Sequence, residues 1–490
     1  MKKAIVIGGG FGGMAAALRL RAKKYDVTLI DRSPMLGGRG QVFVRKGFKH
    51  DAGPTVITAP FLFEELFSLY NERMDDHIRL VPLKPWYRFY FQDKSTFDYG
   101  GTLQDTLDEI SKISPKDVDG YRKLLNHSEN IFNTAFVQLS SVPFNHFLKM
   151  LTLIPKLVLL RSYETVWSMV CRYLSHSKLR QAFSIQPLLV GGNPFSTTSI
   201  YGLIHYLERA YGVFFAMGGT GAIVNALSDL MKRNGIEILL NTTVSKIIAK
   251  DNIATQVILA DGTSIDIDLI VSNVDPTYLY ENMLDNKNVA ISTKMKLKAA
   301  SYSMGLFVVY FGTTKKYDDV AHHTIWLGKS YKELLHNIFD KKILSDDFSL
   351  YLHRPTATDE SFAPKGCDSF YVLCPVPNMQ GNIDWEKDGA ELKNKIIDAL
   401  DKTILPDLKH HIVEDFYMTP KDFKENYLSN FGAGFSIAPL FRQSAWFRFH
   451  NQSEKIKNLY LVGAGTHPGA GLPGVLCSAK VIDSMLPNAI

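Results

Sequence analysis

Cysteine is scarce in this chain. Cys171, Cys367, Cys374 and Cys477 are its four cysteines among 490 residues, scattered without a CxxC spacing, so neither a disulfide framework nor a cysteine metal site is expected. Reduced thiols fit a cytoplasmic setting. Long hydrophobic runs are missing too. No stretch offers ~20 apolar residues free of charge and proline, so no membrane-spanning helix is predicted. The first apolar run lasts four residues before glycines begin, too short for a secretory signal. Basic and acidic residues nearly balance, 55 against 49, for a net charge of +6. There are no dense basic stretches, so no nucleic-acid partner is expected and attraction to an anionic membrane is weak. Hydrolytic and metalloprotease signatures are absent. His322-His323 and His410-His411 lack partner ligands at metal spacing, so no metal is expected, and Asp75-Asp76 and Asp346-Asp347 read as solvated loops.

What the chain has is glycine in particular places. Ala4-Ile5-Val6-Ile7 reads as a buried parallel strand. It runs into Gly8-Gly9-Gly10-Phe11-Gly12-Gly13, then an Ala- and Leu-rich helix over 14–22, and a second strand over 25–30 ending at Asp31. Strand, glycine turn, helix, strand and acid together make the dinucleotide fingerprint. Gly8 permits the tight turn, Gly10 lets backbone approach a pyrophosphate, and Gly13 lets helix pack on strand. The helix N-terminus offers free N–H groups and partial positive charge. Asp31 is suited to accept from ribose hydroxyls. Leu36-Gly37-Gly38-Arg39 follows, with Arg39 either meeting a phosphate or sitting in a solvated turn.

At 490 residues, 46% hydrophobic and 21% charged, two or three globular domains are expected. Helices are predicted at Leu103–Ile113 and over 117–133. Trp86-Tyr87-Arg88-Phe89-Tyr90-Phe91 is aromatic on both alternating faces, as in a sandwich core or a cavity wall. Residues 144–170 hold the oddest stretch, apolar but broken by Lys149, Thr152, Pro155 and Lys156. Two readings stay open there: a helix at a bilayer interface, its lysines snorkelling outward, or a buried pair of core helices. Residues 300–377 carry strands expected to pair antiparallel. Near the end Leu459-Tyr460-Leu461-Val462-Gly463-Ala464-Gly465-Thr466-His467-Pro468 repeats the strand and glycine loop, and a helix follows.

On these residues the chain resembles the bacterial-type phytoene desaturases, carotenoid desaturases within the flavin amine oxidase group. The resemblance runs end to end. Besides the fingerprint, it rests on Asp51-Ala52-Gly53-Pro54-Thr55-Val56-Ile57-Thr58, Leu189-Val190-Gly191-Gly192-Asn193-Pro194-Phe195 and Gly218-Gly219-Thr220-Gly221. Asp347-Phe348-Ser349-Leu350-Tyr351-Leu352-His353, Gln443-Ser444-Ala445-Trp446-Phe447 and the 459–471 stretch complete it.

The resemblance implies an α/β fold: a Rossmann-like FAD domain assembled from discontinuous segments, an inserted α+β substrate domain and a helical membrane-associated subdomain. The expected segments are 1–72, 213–290 and 441–490 for FAD, 73–106 and 291–440 for substrate, and 107–212 for the helical part. Residues expected at the cofactor are Gly8, Gly10, Phe11, Gly13, Asp31, Arg32, Gly37, Gly38, Arg39, Gly53, Pro54, Thr55, Val244, Gly463, Ala464, Gly474 and Val475. Ala464, where amine oxidases often carry Asp, points to the desaturase branch.

The implied reaction takes a hydride to flavin N5 and a proton to an unassigned acceptor, leaving a double bond in an acyclic or monocyclic carotenoid. His467 is either that acceptor or a structural histidine bonded to backbone. Oxygen or a quinone would reoxidise the flavin. A peripheral protein on the inner face of the cell membrane is expected. The rival readings are a flavin amine oxidase and a non-enzymatic prenyl-lipid carrier on the same fold.

Overall fold

The computed structural model describes residues 2–144 and 147–489. Five short parallel strands form one sheet in the order Leu459–Leu461, Leu269–Ser272, Lys3–Ile7, Asp26–Ile30, Glu237–Leu239. The sheet is buried on both faces, and alternation sorts its side chains. Ala4, Val6, Val27, Leu29, Leu269 and Val271 pack on the helices Phe11–Ala22, Gly219–Arg233 and Leu472–Met485. Ile5, Ile7, Ile30 and Ile270 pack on an antiparallel meander, Val244–Lys250, Ile253–Leu259 and Ser264–Asp266. Apolar residues on both faces of a short strand are what a sheet covered on two sides requires.

A second, seven-stranded sheet runs in the order Ile412–Met418, Gly305–Thr313, Asp368–Val376, Leu350–His353, His323–Trp326, Tyr87–Tyr90, Thr96–Tyr99. The strands within 300–377 pair antiparallel with one another as expected; the parallel junction of this sheet joins His323–Trp326 to Tyr87–Tyr90, outside that stretch. A connection of over two hundred residues separates those strands in the chain, so no hairpin dictates their direction. The sheet's Phe307, Val309, Phe311 and Leu350 pack on the helix Trp385–Asp401. Leu306, Val308, Tyr310 and Tyr371 face the opposite way, towards the helical layer. The Tyr87–Tyr90 strand serves both sides, with Tyr87 and Phe89 in one core and Tyr90 against the other.

The helical layer comprises Leu103–Ile113, Val118–Phe132, Phe147–Leu159, Val166–Tyr173, Ser177–Ser184 and Leu203–Tyr211. Leu103–Ile113 falls where predicted, opened by a capping box between Thr102 and Asp105. The apolar stretch 144–170 divides into two unlike helices. Val166–Tyr173 buries Val166, Met169 and Val170. Phe147–Leu159 leaves Leu151 42%, Ile154 43%, Val158 55% and Leu159 82% exposed, while Leu157 is buried at 9%. The side chains of Phe147, Leu148, Lys149 and Met150 lie outside the described residues. Among the described residues, no helix is long and apolar enough to cross a membrane. All four cysteines are free thiols.

Candidate active site

The C-terminal ends of the parallel strands open onto a continuous cavity of ≈ 590 Å³. Ligands of open α/β sheets sit outside these strand ends. Gly8 takes φ +97°, which an L side chain would strain, and turns the chain from strand into helix. A Cβ on Gly13 would lie 1.9 Å from the Gly8 carbonyl oxygen, so only glycine lets this helix sit so close to its strand. Every cofactor residue expected from sequence lines the cavity except Gly13, whose contact is with Gly8. Gly13 is thus corrected from the wall to the packing behind it.

Two helix N-termini meet on this cavity, at Gly10-Phe11-Gly12 and at Gly471-Leu472-Pro473-Gly474. Neither carries a side-chain cap or an acidic residue in its first turn. Their N–H groups and partial positive charge are therefore left for an anion. Asp31 is fixed on the wall by accepting from Gly9 N at 2.6 Å and Ser33 N at 2.7 Å. Arg39 also lines the cavity; its guanidinium donates to Ser429 Oγ at 3.2 Å and lies 6.0 Å from the Tyr427 ring centre. Arg32 donates to the Glu425 carbonyl at 3.0 Å. These features fit a dinucleotide: close backbone, two uncapped helix ends for the phosphates and an acid held for a ribose.

Sequence reading missed three supports of this end. Asn273, at the end of the strand Leu269–Ser272, donates to the Gly8 carbonyl at 3.4 Å. A Cβ on Gly12 or Gly463 would come within 2.7 Å of its Oδ1. Arg448 is wholly buried and donates to the carbonyls of Ala464, Thr466, Gln443 and Ile437, holding the C-terminal glycine loop. Asn451 donates to the His467 carbonyl at 2.8 Å. His467 itself pairs through Nε2 with the Leu139 carbonyl at 3.0 Å and packs edge-on against Phe144. That is the structural role weighed from sequence. The signal for Arg448 was its place directly after Trp446-Phe447; for Asn273, its place where the strand runs out.

Away from the glycine loops the cavity turns apolar, lined by Leu188, Ile325, Leu327, Leu334, Leu335 and Ile338, with tyrosines 331, 351 and 371. Its carboxyls are Asp31, Asp275 and Glu208. Asp31 serves the glycine loop, and Asp275 accepts from Thr277 N and Oγ1. Glu208, on the helix Leu203–Tyr211, is fully buried; Oε1 accepts from the Tyr87 hydroxyl at 2.8 Å and Oε2 has no hydrogen-bond partner. Burial raises its pKa to about 7, against the lowering effect of that hydroxyl. Tyr87 and Glu208 are 121 residues apart; Tyr87 lies in the aromatic strand read as core or cavity wall, and nothing local marks Glu208.

Behind the wall lies a polar network. Thr55 Oγ1 and Tyr351 OH are 2.6 Å apart, and Tyr351 OH is 2.8 Å from His323 Nδ1. The expectation that His322-His323 lacks a companion is corrected: antiparallel pairing sets His323 opposite His353, and the three histidines cluster. Burial, then the neighbouring imidazoles, hold His322 and His323 well below the usual histidine range.

The sequence pattern of the flavin containing amine oxidoreductases matches residues 11–480. The chain belongs to that family, and it is an FAD-dependent oxidoreductase. Within the family it groups with the bacterial phytoene desaturases. It is 46% identical to a lycopene-forming phytoene desaturase of Pseudescherichia vulneris, over 99% of both chains. It is 40% identical to a neurosporene-forming one of Rhodobacter capsulatus, over 100% of this chain and 94% of that one. In fold it is similar to putrescine oxidase, with TM-score 0.66 and 11% identity, covering 99% of this chain and 98% of the other.

Proposed function

We propose that this protein is a carotenoid desaturase that introduces double bonds into an acyclic or monocyclic carotenoid, either phytoene or a later, hydroxylated intermediate. The observation that carries it is a cavity polar at one end, with a glycine cradle, and hydrocarbon-lined at the other. FAD, when bound, supplies the acceptor for a hydride. The cofactor-binding role belongs to Gly8, Gly10, Phe11, Asp31, Arg32, Gly37, Gly38, Arg39, Gly53, Pro54, Thr55, Val244, Gly463, Ala464, Gly474 and Val475, all on the cavity. Gly13 acts by packing.

Forming one C=C bond removes a hydride from one carbon and a proton from its neighbour. The mostly hydrocarbon wall excludes water, and a polyene has no polar group of its own to be held by, so position comes from shape. Glu208 is the carboxyl available for the proton: Asp31 and Asp275 are engaged elsewhere, and His467 is bonded to backbone. At a pKa of about 7 it is partly ionised at neutral pH and able to accept.

In this reading 1–72, 213–290 and 441–490 build the FAD domain, 73–106 and 291–440 the substrate domain, and 107–212 a helical membrane-associated subdomain. The exposed face of Phe147–Leu159, with Leu151, Ile154 and Val158, rests on the inner face of the cell membrane, where the substrate is dissolved. Leu153 and Leu157 on the same helix line the cavity, so the docking face adjoins the cavity wall. Oxygen or a quinone reoxidises the flavin.

Expression in a phytoene-accumulating host, followed by pigment chromatography, tests the substrate. Conversion of phytoene to coloured products is expected. Persistent phytoene with added unsaturation in a later carotenoid would move the assignment to that intermediate, and peroxide released from amines instead would make the chain an amine oxidase.

A further inference from the structure

His322, His323 and His353 are buried, at 6%, 0% and 0% exposure. One ring nitrogen of each lies within 4.8 Å of the other two. Each ring has one nitrogen engaged and one left over. His353 Nε2 pairs with Asp51 Oδ2 at 3.2 Å, His323 Nδ1 with Tyr351 OH at 2.8 Å, and His322 Nδ1 with Thr358 Oγ1 at 2.7 Å. The remaining atoms, His353 Nδ1, His323 Nε2 and His322 Nε2, are buried without a partner.

The partners admit one set of tautomers that suits a bound cation. His353 Nε2–H donates to the Asp51 carboxylate, which leaves Nδ1 as the atom able to bind. The hydroxyl partners allow the tautomers in which His322 donates to Thr358 and His323 to Tyr351, and in those tautomers both Nε2 atoms carry lone pairs. Three unpaired ring nitrogens in one buried cluster call for a shared partner, because an unpaired buried polar atom is costly, and an electron-pair acceptor satisfies all three lone pairs at once. A hydrogen-bond partner on the far nitrogen, one of them a carboxylate, is the arrangement that orients metal-binding imidazoles.

The ring spacing agrees. The ring centres are 4.6, 4.8 and 5.4 Å apart. An ion held tetrahedrally by imidazoles at about 2.0–2.1 Å sets ring centres about 5 Å apart.

We propose that His322, His323 and His353 form a binding site for a divalent transition metal of the zinc class, with solvent as fourth ligand. The site is structural and independent of the flavin chemistry. It joins the strands His323–Trp326 and Leu350–His353. Through Asp51, which also accepts from Thr220 N and Oγ1 at 2.8 Å, it ties them to the start of the helix Gly219–Arg233. Through Tyr351 and Thr55 it reaches the cavity wall. Imidazole ligands suit this class of ion over magnesium or calcium.

The test uses the full-length FAD-bound protein, carrying no histidine tag, purified from zinc-supplemented medium. About one equivalent of metal per chain is expected by mass spectrometry, and crystals should give an anomalous peak between the three rings above the zinc edge but not below it. His353→Gln should lose the metal at least tenfold, while the double variant His410→Gln, His411→Gln keeps it. Because the His353 variant sits in the core, the wild-type anomalous map decides independently of its folding. A water or an empty centre between the rings, with no metal retained after dialysis against zinc chloride, would overturn the proposal.

Discussion

Glu208 is a carboxyl placed where water cannot reach it. Burial favours its neutral form, and the Tyr87 hydroxyl only partly offsets this. The sign of its effect on stability follows from linkage. With the folded pKa raised from 4.5 to about 7, its contribution is fully present below pH 4.5 and lost as pH rises through about 7. Activity runs the opposite way, since only the carboxylate accepts a proton. kcat/KM should therefore rise with pH through about 7. Glu208→Gln should remove that limb, lower kcat by roughly 10²–10⁴-fold, and flatten the loss of thermal stability between pH 5 and pH 8. A variant that keeps the wild-type pH profile would place the proton acceptor elsewhere. Neither Glu208 nor the histidine cluster was legible in the sequence. Glu208 meets Tyr87 across 121 residues, and His353 meets Asp51 across 302, so no spacing rule reaches them. Gly13 was legible because its partner Gly8 is five residues away.

At the level of elements, the helix Phe147–Leu159 shows how one stretch of sequence can support two readings. Its apolar residues cover more than one face, and the fold uses both. Leu153 and Leu157 turn to the cavity, with Phe144 and Trp446 close by. Leu151, Ile154 and Val158, at helical spacing, turn to solvent. From sequence the two sets cannot be separated, since each satisfies the same periodicity. Their effects should separate cleanly. Leu151→Asp with Val158→Asp should release the folded protein from anionic liposomes in a flotation assay and leave FAD bound. Leu157→Asp introduces a charge into a buried position and should act on stability instead. Unchanged flotation of the first variant would remove the membrane role from this helix. By contrast, the helix at Leu103–Ile113 was readable because a cap marks where it begins.

In the whole molecule the five-stranded sheet gathers strands from both ends of the chain and from its middle. The sequence betrayed this by repeating strand, glycine loop and helix near residue 8 and again near residue 463. Which middle segments join could be read only as candidates. The antiparallel character of the second sheet was legible from its strands, but its one parallel junction was not, because it depends on how a distant segment enters the edge. The outcome is one cavity that serves two chemistries of recognition: backbone N–H groups and an acid at one end, hydrocarbon at the other. Anaerobic mixing of the FAD-reconstituted protein with phytoene in liposomes tests that union most directly. If the account holds, the flavin absorbance near about 450 nm bleaches as new conjugated product appears. A flavin band that persists with phytoene and with hydroxylated or monocyclic carotenoids alike would contradict it.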